Sequence, residues 1–110
     1  IALNINIDGA GLNKGNTSFA LMNLTKSQAD KAYEAFNQFS NLVEGKPWVQ
    51  GDHSIFLQFG VPAIAISSEW LLNNLLIQRI THTENDNMSI VDIDKIVELA
   101  RAISLLIHKL

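Results

Sequence analysis

Residues 62–67, Pro62-Ala63-Ile64-Ala65-Ile66-Ser67, form a short continuous apolar run that follows Gly60. A run of this length without polar alternation predicts a strand covered on both faces. Such a strand needs layers above and below it, which the rest of the chain has to supply. Leu3, Ile5 and Ile7 alternate with Asn4, Asn6 and Asp8, a period of two that predicts a half-buried strand over residues 2–7. Ser18–Met22 predicts another. The Gly- and Asn-rich stretch between them allows a hairpin with a long loop.

The covering layers read as helices. Thr25 is a candidate N-cap, and Ala29, Ala32, Tyr33, Phe36, Phe39 and Val43 recur at three- or four-residue spacings, predicting an amphipathic helix over residues 26–41. Glu44-Gly45-Lys46-Pro47 stops it. His53–Phe59 predicts a short helix ended by Gly60, and Asp52 is its candidate cap. Ser68 is placed to cap a further helix through Trp70, Leu71, Leu72 and Leu75. Asp92 caps the last helix, whose expected buried stripe is Ile93, Ile96, Val97, Ala100, Ile103, Ile107 and Leu110, with Val91 stapled against Ile96. Alternating strands and helices indicate one layered α/β domain. The loops fall at residues 9–16, 43–52 and 77–91.

A chain of 110 residues is one domain at most. Its formal net charge of −3 argues against nucleic acid or an anionic membrane as partner. No apolar run approaches the ~20 residues that cross a bilayer. The absence of cysteine excludes thiolate chemistry and disulfides, so any transition metal must use His, Asp and Glu. Ile1 opens directly on strand-like sequence, which predicts that the chain begins inside a longer protein.

Three places could carry chemistry. Asp8 ends a strand, where the ligands of α/β sheets gather, although Asp8-Gly9 also makes an ordinary turn. Asp52-His53 opens a short apolar helix, so Asp52 is either a cap or a group near a site. His82, followed by Glu84 and Asp86, is either a loop histidine or a metal ligand whose second nitrogen Asp86 or a backbone carbonyl could hold. His108 reads as a partner of the last helix's C-terminal dipole. Trp48 reads as a pocket wall or a loop anchor. Nucleotide-binding glycine loops, a G-x-S-x-G elbow and an H-E-x-x-H helix are all missing.

The order of these segments is similar to that of a known family. Asn6-Ile7-Asp8-Gly9-Ala10-Gly11 resembles the strand-end Asn-x-Asp-x-x-Gly of co-catalytic dizinc aminopeptidases, a superfamily that includes bacterial leucyl aminopeptidases, glutamate carboxypeptidases and glutaminyl cyclases. Gly51-Asp52-His53-Ser54-Ile55-Phe56, running on to Gly60-Val61-Pro62-Ala63, resembles its Asp-His-x-x-Phe … Gly-Val/Ile-Pro-Ala segment. His82-Thr83 with Asp86 resembles its His-Thr-x-x-Asp motif. The resemblance covers essentially the whole chain.

It implies the C-terminal part of a three-layer zinc exopeptidase sandwich, a mixed sheet with flanking helices whose N-terminal part is absent. It makes Asp8 and His82 metal ligands, and Asp52, His53 and Asp86 groups behind the ligands or touching substrate. The implied activity is hydrolysis of N-terminal residues from peptides by a metallo-aminopeptidase with two zinc ions. The family's upstream His-x-Asp and Glu-Glu pairs, including the general base, have no counterpart here, so the chain alone is expected to be inactive. Thr81 stands where a Tyr is often found, or a Trp in the cyclases. An absent upstream segment also implies an open sheet edge through which copies could self-associate. The alternative is a non-catalytic binding or scaffold domain of the same fold.

Overall fold

The computed structural model describes residues 3–48, 51–74 and 83–110. Four strands form one mixed sheet: β1 (Asn4–Ile7), β2 (Thr17–Met22), β3 (Leu42–Glu44) and β4 (Ala63–Ser68). Their spatial order is β1-β4-β2-β3, with β1 parallel to β4, β4 antiparallel to β2, and β2 parallel to β3. The expected β1–β2 hairpin does not form, because β4 lies between the two strands. Every residue of β4 is buried, as its unbroken apolar run requires.

Helices α1 (Lys26–Phe36) and α4 (Ile93–Lys109) cover one face. Phe19, Ile64 and Ile66 from the sheet join Ala32, Ala35 and Phe36 of α1 and Leu99, Ala102 and Leu106 of α4 in the main core. Phe36 meets Phe19 edge-on with ring centroids 4.9 Å apart. On the other face, Ala20, Met22 and Ala65 are covered by Trp48 and by Leu57 of α2 (His53–Gln58). A short helix, α3 (Glu69–Asn73), follows β4 directly, and a 3-10 turn (Met88–Ile90) precedes α4.

Several local expectations are met. Thr25 caps α1 in a full capping box with Gln28. Asp92 caps α4 by accepting from the Asp94 N–H, and Nδ1 of His108 lies 2.7 Å from the Ser104 carbonyl in the last turn. Gly60 ends the α2 segment at φ +74°.

Others are corrected. Helix α1 stops at Phe36, short of residue 41, because Asn37, Ser40 and Asn41 are poor helix formers and Leu42 is needed beside Thr17 to make β3. Phe39 still packs on the core, from a turn. Asp52 makes no capping bond: its backbone is already helical, and Ser54 bonds the Gly51 carbonyl instead. Ser68 sits at the start of α3 without capping it. Leu75 lies outside the described residues.

Helix α4 also turns a different face inward. Leu99, Ala102 and Leu106 are buried, whereas Ile93, Ile96, Val97, Ala100, Ile107 and Leu110 are exposed, and only Ile103 of the expected stripe packs on the core. The helix is apolar on two sides, and α1 takes the side of Leu99, Ala102 and Leu106 rather than the expected stripe. The other side, with Ile7, lines a groove of about 660 Å³ beside β1, whose outer edge has no partner strand among the described residues.

Candidate functional site

The parallel strands β1 and β4 run side by side, with Ile7 opposite Ile66, and their C-terminal ends deliver Asp8 and Ser68 to the same edge. The Asp8 N–H donates to the Ile66 carbonyl at 3.0 Å, so the ladder holds the backbone of Asp8 although its side chain is exposed. The chain then turns sharply through Gly9 (φ +70°) and Gly11 (φ +85°), a left-handed backbone that glycine adopts without strain. A Cβ on Gly11 would stand 2.7 Å from Cγ1 of Ile96.

This loop is fastened to the polar segment that precedes α4. Leu12 bridges Val91, the Asn13 N–H donates to the Ile90 carbonyl, and the Asp92 N–H donates to the Gly11 carbonyl, the last two at 2.8 Å. Nζ of Lys95 reaches over from α4 to the carbonyls of Leu12, at 3.1 Å, and Gly15, at 2.5 Å. The polar segment is folded on itself by short-range bonds, among them Asp86 N–H to the Thr83 carbonyl and Asn87 Nδ2 to the Glu84 carbonyl.

Asp8 and Asp86, far apart in sequence, therefore line one cavity of about 320 Å³. Its other walls are Gly9, Ala10, Leu12, Leu71, Ile90 and Val91, so two acidic residues border a recess otherwise lined by apolar residues. His82 lies outside the described residues. Among the described residues, no group of three or more His, Asp or Glu side chains is placed to hold a metal ion.

Asp52 and His53 are not brought into this cavity. His53 is fully buried between β1 and the Trp48 loop. Its Nδ1 lies 3.2 Å from Nδ2 of Asn6 and its Nε2 lies 2.6 Å from the Trp48 carbonyl. An amide N–H donates and a carbonyl accepts, so this pairing matches an imidazole that carries a proton on Nε2 and accepts at Nδ1. Trp48 meets the His53 ring edge-on and packs on the second core cluster, which makes it a loop anchor.

Three residues that build the site were given no such role in the sequence: Asn6 was read only as part of the strand and its motif, Ser68 as a helix cap, and Lys95 not at all. Asn6 and Ser68 had a signal, a polar side chain in or ending a strand with a buried face. Lys95 had none, since its role depends on where a distant loop ends up.

The family described as Peptidase family M28 matches the chain over residues 1–107. The fold is similar to the solved structure of an aminopeptidase from Aneurinibacillus sp. strain AM-1, with a TM-score of 0.75 and 18% sequence identity. That match covers 98% of this chain and 25% of the aminopeptidase, so the chain spans about a quarter of its length. No curated protein sequence matches the chain.

Proposed function

The chain belongs to peptidase family M28, and on that premise we propose that it is the C-terminal part of a zinc-dependent aminopeptidase domain. The observation that supports this most is the meeting of Asp8 and Asp86 at one cavity beyond the carboxyl ends of β1 and β4. Strand-end carboxylates facing a recess are where α/β folds hold ligands.

The donor chemistry fits a catalytic divalent ion. Carboxylate oxygen from Asp8 and imidazole nitrogen from His82 are zinc-type ligands, and neither completes a closed four-ligand cage. Asp86, four residues after His82, is the acceptor for the second imidazole nitrogen, which would fix the ring's tautomer and direction. Asp52 and His53 act from behind β1: His53 holds Asn6, two residues before Asp8, and so steadies the strand that carries it. Zinc held by these residues would supply Lewis-acid polarisation of a scissile carbonyl and activation of water.

The chain's own groups do the rest by placement. The β1–β4 ladder sets the height of Asp8, and Leu12, Leu71, Ile90 and Val91 form the apolar walls beside it. The remaining ligands and the general base belong to sequence upstream of Ile1, so the isolated chain has no peptidase activity. Peptides are the substrates, and two zincs serve the whole enzyme. The open β1 edge and its apolar groove give the isolated chain a surface for self-association.

The test is hydrolysis of aminoacyl-nitroanilides by the longer natural protein that carries these residues. Asp8→Asn is expected to lower the rate by about 100-fold or more, together with bound zinc. Full activity and full zinc content in Asp8→Asn would overturn the proposal.

A further inference from the structure

Ser68 ends β4 and opens α3, the usual place for a helix cap, yet its hydroxyl bonds elsewhere. The residue is 2% exposed. Its Oγ–H donates to the Gly9 carbonyl at 2.6 Å, and the same oxygen accepts from the Leu12 N–H at 3.2 Å. Its own N–H also donates to the Gly9 carbonyl, at 3.1 Å. All three bonds go to the loop that leaves Asp8.

The peptide between Gly9 and Ala10 is thus gripped twice through one oxygen, one residue after Asp8. Gly9 turns at φ +70°, which aims its carbonyl back at β4, and a Cβ there would crowd Leu71 and the Ser67 hydroxyl at 3.1 Å. Donating and accepting at once, within the width of a strand, needs a hydroxyl. Alanine would leave the buried Leu12 N–H without its acceptor and would release one of the two holds on Gly9.

We propose that Ser68 is a positioning residue for Asp8: it fixes the turn that follows the carboxylate, and thereby the direction in which the carboxylate meets the cavity shared with Asp86. The inference rests on the metal-site reading of Asp8. It adds a residue from a neighbouring strand that touches neither metal nor substrate. Residues that orient a ligand from outside the coordination sphere typically change metal affinity by about 10- to 100-fold.

The experiment is a Mn2+ titration of the 15N-labelled full natural protein that carries these residues, read as paramagnetic broadening of the Gly9 and Ala10 amide signals, which detects the site without enzymatic turnover. Wild type is expected to broaden at these amides first. Ser68→Ala is expected to need about 10-fold more Mn2+. Ser68→Thr, which keeps the hydroxyl, stays close to wild type. Ser68→Cys, close to serine in size but a poor donor, loses affinity like alanine and serves if Ser68→Ala does not fold. Ile64→Val trims the buried core of the same strand and is the control for lost stability alone, with unchanged Mn2+ response. Wild-type affinity in Ser68→Ala or Ser68→Cys, or an equal loss in Ile64→Val, overturns the positioning role and leaves the metal reading standing. No localised broadening in wild type, or broadening unchanged by Asp8→Asn, overturns the metal reading and the positioning role with it.

Discussion

Nδ2 of Asn6 donates to Nδ1 of His53 across 3.2 Å, tying the strand that carries Asp8 to the first turn of a helix on the opposite side of the sheet from α1 and α4. With Nε2 of the same ring on the Trp48 carbonyl, His53 cross-links β1, α2 and the loop before it. Replacing His53 with alanine leaves a buried amide and a carbonyl without partners and opens a cavity. The expected loss is about 2–4 kcal/mol of folding stability, measured by urea denaturation. Long-range 15N spectra of wild type should show the Nε2–H tautomer.

The chain contains one tyrosine, so its phenolate signal can be followed without overlap. Tyr33 donates its hydroxyl to Oε2 of Glu44 at 2.7 Å. That hydrogen bond to Glu44, then burial, then the carboxylate's charge hold the phenol above its ordinary value of 10.0. A folded-state pKa above the unfolded one stabilises the fold fully below pH 10, and the contribution is lost as pH rises through the folded value. Ultraviolet titration should place Tyr33 above 10.0 in wild type and closer to it in Glu44→Gln.

Gly11 holds φ +85° with its carbonyl on the Asp92 N–H, at the joint between the Asp8 loop and the segment carrying Asp86. Gly11→Ala is expected to cost about 1–2 kcal/mol through the left-handed backbone alone. The exposed Ile96 side chain can give way, so it adds less. Chemical denaturation measures the loss.

The two apolar sides of α4 separate core from surface at adjacent positions. Leu106 is fully buried and Ile107 is 57% exposed. Leu106→Ala should cost about 2–5 kcal/mol. Ile107→Ala should stay within about 0.5 kcal/mol in dilute solution. If copies of the chain associate through the β1 edge and its groove, Ile107→Asp should reduce the mass seen by light scattering at high concentration. A monomeric wild type at every concentration contradicts that association.

What was legible in the sequence follows from how local each signal is. The unbroken run of β4, the Thr25 and Asp92 caps and the glycine stop after α2 depend on near neighbours, and they stand as read. The strand order was hidden, because nothing local says that β4 inserts between β1 and β2. Strand β3 was not foreseen, its residues 43 and 44 being read as loop, because three residues of edge strand carry no period. Helix α4 was read with one buried stripe, and the packing of α1 selects a different one, through Leu99, Ala102 and Leu106. At the site, Asp8 and Asp86 were visible as polar groups beside apolar runs, and the family resemblance joined them. The bonds of Ser68, Asn6 and Lys95 span 47 to 83 positions and could not be read from spacing.

The most direct measurement is X-ray diffraction at the zinc absorption edge from crystals of the full natural protein grown with zinc. An anomalous peak about 2.0–2.2 Å from a carboxylate oxygen of Asp8, with a second zinc bound by the imidazole of His82, is the predicted result. Zinc-loaded crystals with no anomalous density at Asp8 or His82 would contradict the metal centre and the aminopeptidase built on it.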